Sequence, residues 1–402
     1  MYTTRKNNYL LLFLLVMVFL TMAAYSMKIM IGMISLFEDF SVPSFINRGV
    51  LLFYIILLLT VLFYHRFDKS IFGYGVLQFL VLLFFLNIFT GYFYNTKTNE
   101  IIYGNLSLGL AIITYFVGYN LYSRASKDST LLQYLAIIAT IGLCAEYFII
   151  SNTMRIDMNH TTIMLGISYV PLILTPLLLL NNNKLSWISF IIVGYILIDS
   201  GKRGGIISLV LGLLFYYLSV KNSIENAKKR KVIVIAIIAI ILLWGILAEF
   251  VENADFFDRL LHGSDDSDYS SGRLDIYSDT ISKYFDSDIL GMLMGHGLGS
   301  VAKVSKFGVT AHNDFIEALY DFGILGFMSY LLFYVAFIRQ TLSISRKSIK
   351  MKGVFAYSLA ITFFLSTFSQ IIVYQYLCLF TFTWGAISGA RRQDIMSSQM
   401  LS

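Results

Sequence analysis

Charge is scarce in this chain. Lys, Arg, Asp and Glu make up only 13% of its 402 residues, while apolar residues make up 57%. A soluble domain carries about 25% charged residues, so there is too little polar surface here to wrap a soluble protein of this length. Proline is reduced to three residues, which excludes a Pro-rich linker. No internal repeat or low-complexity tract divides the chain, which reads as one membrane domain, 1–402. The two cysteines, Cys144 and Cys378, both lie in apolar runs, so neither a disulfide framework nor a thiolate metal site can be built. A Walker loop, a dinucleotide fingerprint and an HExxH pair are all absent. No metal or other cofactor is expected.

What the chain has instead is a succession of apolar runs long enough to cross a bilayer, roughly 17–25 residues each. They predict an all-α polytopic membrane protein with about 12 transmembrane helices. The expected spans are 9–27, 49–64, 71–90, 101–122, 131–150, 162–180, 185–199, 204–220, 232–250, 316–338, 353–372 and 373–390. The last two nearly touch, with their turn around Gln370 to Gln375, so 11 or 13 helices are the alternatives. Helices are the default because a lipid-exposed backbone must satisfy its own hydrogen bonds, and the ~10-residue alternation of a membrane barrel is missing. Arg5 and Lys6 precede a first run too long for a cleaved signal, which reads as an anchor.

Orientation follows from Lys and Arg. With the N-terminus in the cytoplasm, alternate loops collect 19 basic residues against 4 acidic ones inside and 11 against 19 outside. The basic excess is therefore a topology signal and not a nucleic-acid surface. The one long connection, 251–315, joins the ninth and tenth spans and falls outside. Its first half is acidic. Leu274, Tyr277, Ile281, Tyr284 and Phe285 then fall at helical spacing behind Ser271 as a cap, predicting an amphipathic helix on the outer face of the bundle.

Three places could carry chemistry. The connection Asp199-Ser-Gly-Lys-Arg-Gly-Gly205 puts Lys202 and Arg203 beside glycines at the head of a helix, on the side where positive charge is rare. Free N–H groups, close backbone approach and a guanidinium fork suit a phosphate; a tight turn with snorkelling charges is the plain reading. Arg273, in Ser271-Gly272-Arg273, opposes the dipole of the helix it opens. His312, in Ala311-His-Asn-Asp-Phe315, sits where loop meets membrane and is the side chain best suited to take a proton near neutral pH. Asn313 and Asp314 could orient its ring or cap the next helix, and a nearby Asp314 is expected to raise the histidine pKa. Glu317 is a further acidic candidate one turn into that helix. His296, in Gly-His-Gly-Leu-Gly, is either a turn residue or a ligand. Glu146, inside a span, is suspect because an ionisable group there is expensive. No nucleotide-sugar domain lies on the cytoplasmic side, so any chemistry is external and needs a substrate already carried by lipid.

Taken in order, Gly-Lys-Arg-Gly-Gly at the head of a span, Ser-Gly-Arg, Gly-His-Gly-Leu-Gly, Ala-His-Asn-Asp-Phe and a following helix with Gly323 and Gly326 resemble the bacterial O-antigen ligase and O-antigen (Wzy-type) polymerase superfamily. The resemblance covers about 195–335. It implies a metal-independent, inverting glycosyltransferase of the inner membrane, with both termini cytoplasmic and the site at the periplasmic face. Its partners would be an undecaprenyl-pyrophosphate-linked glycan donor, a glycan acceptor, membrane lipid and a chain-length regulator protein. On this resemblance His312 is the general base, and Arg203, Arg273 and Lys202 bind the donor pyrophosphate, with Asn313, Asp314, Glu317 and His296 as supporting candidates. The polymerase of an O-antigen or capsule is favoured over the ligase that hands the glycan to lipid A-core. A lipid-linked oligosaccharide flippase and a protein O-oligosaccharyltransferase are the other readings. A flippase would be expected to show repeats.

Overall fold

The computed structural model describes residues 76–94, 98–124, 130–158, 168–180, 184–200, 202–220, 273–305, 308–344, 348–372 and 374–400. The expected spans 9–27, 49–64 and 232–250, the acidic first half of the long loop and the Ser271 cap lie outside them.

Among the described residues every regular element is helical. The elements are α1 (Val76–Phe93), α2 (Thr98–Arg124), α3 (Thr130–Met158), α4 (Tyr169–Leu179), α5 (Lys184–Asp199), α6 (Arg203–Val220), α7 (Arg273–Phe285), α8 (Ile289–Met294), α9 (Val301–Val304), α10 (Asp314–Ser343), α11 (Ile349–Phe368) and α12 (Tyr374–Met400). Each expected span inside the described residues has a helix; of 162–180 the described part is the proline-bearing α4, and 162–167 lie outside the described residues. Three of these helices, α1, α10 and α11, are long and apolar enough to cross a membrane.

Within a bilayer, helices gain little by hiding apolar surface from lipid, so close backbone approach and polar contacts must hold them together. Both are present. Helices α2 and α12 meet through Gly118, Gly385 and Gly389. A Cβ on Gly385 would fall 2.0 Å from the Tyr115 carbonyl oxygen, and one on Gly389 2.3 Å from that of Tyr119. Thr114 bonds Thr381 across the same pair at 2.8 Å, and polar pairs tie other helices: Thr175 to Tyr357 at 2.7 Å and Tyr334 to Ser366 at 2.8 Å. Trp384 packs edge-on against Phe337 and Phe355. Both cysteines are free, and Glu146 is half-buried in α3.

The helix ends fall into two groups. The end of α5 and the starts of α4 and α6 meet the end of α11 and the start of α10. At the opposite end Lys350 donates to the Leu180 carbonyl, Arg391 to Ser343 and Ser348 to Asp394.

The second half of the long connection is built onto α10. That helix is interrupted at Gly323, whose φ of 64° takes it out of the helical region. The interruption leaves the carbonyls of Tyr320 and Asp321 to the N–H groups of His296 and Gly297, at 3.2 and 2.8 Å. The Asp321 carboxylate accepts from the N–H groups of Gly299, Ser300 and Val301 at 2.6, 3.0 and 3.1 Å. Gly295 and Gly323 are required for this contact: a Cβ on Gly295 would lie 2.3 Å from the Asp321 backbone, and one on Gly323 2.5 Å from that of Leu293. Gly295→Ala also meets a φ of 79°. It is expected to destabilise the folded protein by about 1–3 kcal/mol, read as a lower melting temperature in detergent; unchanged melting would show that this loop can separate from α10 freely.

The amphipathic helix forms as α7, but its buried stripe differs from the expected one. Ile276, Thr280 and Tyr284 face the protein, whereas Leu274, Ile281 and Phe285 are exposed. Spacing identifies an apolar stripe, but not whether it turns to protein or away from it. Here Ile276 and Tyr284 find a small cluster with Val301, Ala311 and Tyr320.

Candidate functional site

Lys202 closes the turn between α5 and α6. Its N–H donates to the Leu197 carbonyl, and its own carbonyl accepts from Gly205 and Ile206, so it caps α6 from outside. Arg203 is the first residue of that helix. The glycines behind them have a spatial reason: a Cβ on Gly204 would lie 2.6 Å from the Phe368 side chain, and one on Gly205 2.5 Å from that of Leu197. Without side chains there, the head of α6 reaches the end of α11. The Lys202 Nζ lies 5.9 Å from the centre of the buried Tyr169 ring, within cation–π range. Burial, with help from Arg273, pushes the Lys202 amine down to about 8.

Arg273 opens α7, and its electrostatic conflict with its own helix dipole is relieved elsewhere. Its Nη1 donates to the Phe368 carbonyl at 3.1 Å, the C-terminal end of α11, where a cation is favourable. That bond takes one of the guanidinium's five N–H donors.

His312 occupies the residue before the cap of α10. Its φ is 52°, and no other non-glycine among the described residues has a positive φ. The ring is exposed, yet protein around it withholds enough water to disfavour the charged form. Its pKa is lowered, first by that partial burial and then by the positive charges of Arg273 and Lys202. Three residues far apart in the chain therefore share one electrostatic neighbourhood.

This corrects the expectation that Asp314 raises the histidine pKa. The Asp314 carboxylate is fully buried and turned to the α11–α12 connection, accepting from Ile371 N–H at 3.0 and 2.9 Å, from Ile372 N–H at 3.3 Å and from the Tyr330 hydroxyl at 3.1 Å. Nor does Asp314 cap α10. Asn313 does, accepting from the N–H groups of Phe315 and Ile316 at 2.9 and 3.3 Å, while its amide donates to the Thr367 carbonyl at 3.3 Å. Glu317 is buried and accepts at one oxygen from Ala311 N–H at 2.6 Å and from the Gln370 amide at 2.7 Å.

His296 belongs to another set of contacts. It stacks on Tyr320 with centroids 4.5 Å apart, lies 5.0 Å from the Tyr94 ring, and bonds to Ser287 and the Tyr320 carbonyl. These are packing contacts of the loop seated on α10.

Sequence reasoning missed two parts of this arrangement. Tyr169 carries no polar mark that separates it from the other 26 tyrosines. The stretch 367–372, the end of α11 and the connection after it, receives Arg273, Asn313, Asp314 and Glu317; it was read only as the end of a span and a turn around Gln370 to Gln375, and its signal was the polar run of Thr367, Ser369 and Gln370.

Cations beside a histidine held toward its neutral form can bind an anionic group and accept a proton next to it. Residues 188–331 match the family model described as O-Antigen ligase, a stretch that contains Lys202, Arg203, Arg273 and His312. A comparison with curated proteins finds no match.

Proposed function

We propose, from the match of residues 188–331 to the family model described as O-Antigen ligase, that this chain is a glycosyltransferase of the O-antigen ligase and polymerase superfamily, joining lipid-pyrophosphate-linked oligosaccharide repeat units at the outer face of the bacterial inner membrane. The observation that carries this reading is the convergence of three segments on the end of α11: Arg273 bonds the Phe368 carbonyl, Asn313 next to His312 bonds the Thr367 carbonyl, and the head of α6 behind Lys202 packs on Phe368.

A hydroxyl of the acceptor glycan attacks the anomeric carbon of the donor. The new C–O bond forms as the bond to the pyrophosphate oxygen breaks, and the lipid pyrophosphate leaves with that electron pair on the opposite face, inverting the centre. His312 takes the hydroxyl proton. A sugar hydroxyl is a weak nucleophile and needs a positioned base. Lys202 and Arg273, with Arg203 at the head of α6, hold the diphosphate and meet the charge it gains as it departs. Fixed cations in a partly dehydrated cleft need no reorganisation at that moment. The lowered pKa of His312 supports the role, since a base must be unprotonated before it acts.

The ligase that passes the glycan to lipid A-core uses the same chemistry and is the second reading. Incubating the purified protein with lipid-linked repeat units, with and without lipid A-core, separates them. The polymerase gives a ladder of lipid-linked multiples without lipid A-core. Product only when lipid A-core is added identifies a ligase, and no covalent product with either acceptor overturns the enzymatic reading.

A further inference from the structure

We infer that Glu317 and Gln370 are positioning residues for His312, clamping the peptide in front of it so that its ring stays beside Lys202 and Arg273. The inference rests on the proposed role of His312 and adds the means by which that residue is held.

The starting point is the backbone. His312 lies in the left-handed region, where an L side chain crowds the following carbonyl. Such a conformation persists when the surroundings over-determine it, and it is concentrated at working sites. Both flanks of His312 are tied. Behind it, Asn313 caps α10 and reaches the Thr367 carbonyl. A helix start needs a cap in any case, so Asn313 has a sufficient structural reason.

The tie in front has no such reason. Ala311 is completely buried, and its N–H is satisfied by the Glu317 carboxylate. A buried carboxylate is an expensive acceptor for one backbone N–H, and a neutral side chain or water would serve for stability alone. The same oxygen also accepts from Gln370, a bond that ties the His312 loop to the α11–α12 connection. That connection begins where Arg273 binds the Phe368 carbonyl. The Glu317–Gln370 pair thus sets the distance between the loop that carries the histidine and the helix end that holds the arginine. Misplacing a reacting group by about 1 Å lowers rates by as much as ~10²-fold, so a rigid spacer has a direct use.

The test is steady-state transfer by the full-length purified protein on lipid-linked repeat units, with kcat and donor KM separated. Glu317→Leu is expected to lower kcat about ten- to a hundredfold while donor KM stays within about twofold, because the pyrophosphate cations are untouched. In a His312→Gln background the same substitution is expected to lower the residual rate no further, since nothing is left to position. A full additional loss there marks a general structural role and overturns the inference, as does a folded Glu317→Leu protein with wild-type kcat. Where Glu317→Leu yields no folded protein, Gln370→Leu decides. It removes one of the two bonds to that oxygen and is expected to lower kcat on the order of tenfold; a wild-type kcat overturns the inference. The failure of the underlying reading looks different: His312→Gln by itself would then transfer at the wild-type rate.

Discussion

His312→Ala is expected to insert, fold and bind donor while glycan transfer falls by roughly 10²–10⁴-fold, the usual contribution of a general base. A ladder of polymer would collapse to single repeats. His312→Gln should do no better than alanine, because an amide can accept a hydrogen bond from the hydroxyl but cannot take its proton at neutral pH. A glutamine variant with near-wild-type product would reduce His312 to an orienting role. The obvious replacement bases are poorly placed, since Asp314 and Glu317 are buried and engaged with Ile371, Ile372, Ala311 and Gln370.

The pH dependence gives a second, independent reading. Burial and the neighbouring cations hold the His312 pKa below its ordinary value of 6.5. A base is active when deprotonated, so activity is lost as pH falls through that lowered pKa, and it is flat above it until the Lys202 amine begins to lose its charge at about 8. The limb of kcat/KM, which reports the free enzyme, therefore lies below pH 6.5. The limb of kcat, which reports the complex, lies higher, because a bound diphosphate offsets the charges of Arg273 and Lys202. Coincident limbs would show that donor charge does not reach His312.

Arg273→Ala is expected to lower kcat/KM by about 10²–10³-fold, the effect of removing one fixed donor from a developing charge. Lysine should restore only part of it, because an ammonium lacks the planar fork of the guanidinium. The same alanine substitution removes one of the causes that hold the His312 pKa down, so the acid limb of the remaining activity moves to higher pH. Loss of rate without movement of the limb would place Arg273 away from His312 in the working enzyme; full activity would remove it from the site.

The residues of this site were legible because each is polar where its surroundings are not. Lys202 and Arg203 stand in a connection that the Lys and Arg count assigns to the side poor in basic residues, Arg273 contradicts its helix dipole, and His312 sits at a helix start among apolar runs. Their meeting was not legible from residue chemistry, since some 70 residues separate Lys202 from Arg273 and nearly 40 separate Arg273 from His312. The motif Gly-His-Gly-Leu-Gly shows the opposite limit. Its glycines announce backbone geometry that other residues cannot adopt, but only the structure shows that they seat the loop on the break at Gly323, with His296 packed between Tyr94 and Tyr320.

The sequence by itself determined the helical class, the order of the described helices and the grouping of their ends. These follow from local rules: apolar runs must satisfy their own backbone in lipid, and successive spans joined by short connections alternate in direction. Tertiary structure decided which face of α7 is buried, which carboxylate serves which N–H, and the sign of the pKa shift at His312. Each of these depends on what lies across a few ångströms of space. Asp314 adjoins His312 closely in the chain, yet its carboxylate serves Ile371 and Ile372, while Arg273 and Lys202, 39 and 110 residues away in the chain, act on the histidine. Electrostatic interaction falls with distance through the folded protein, and separation along the chain does not enter it.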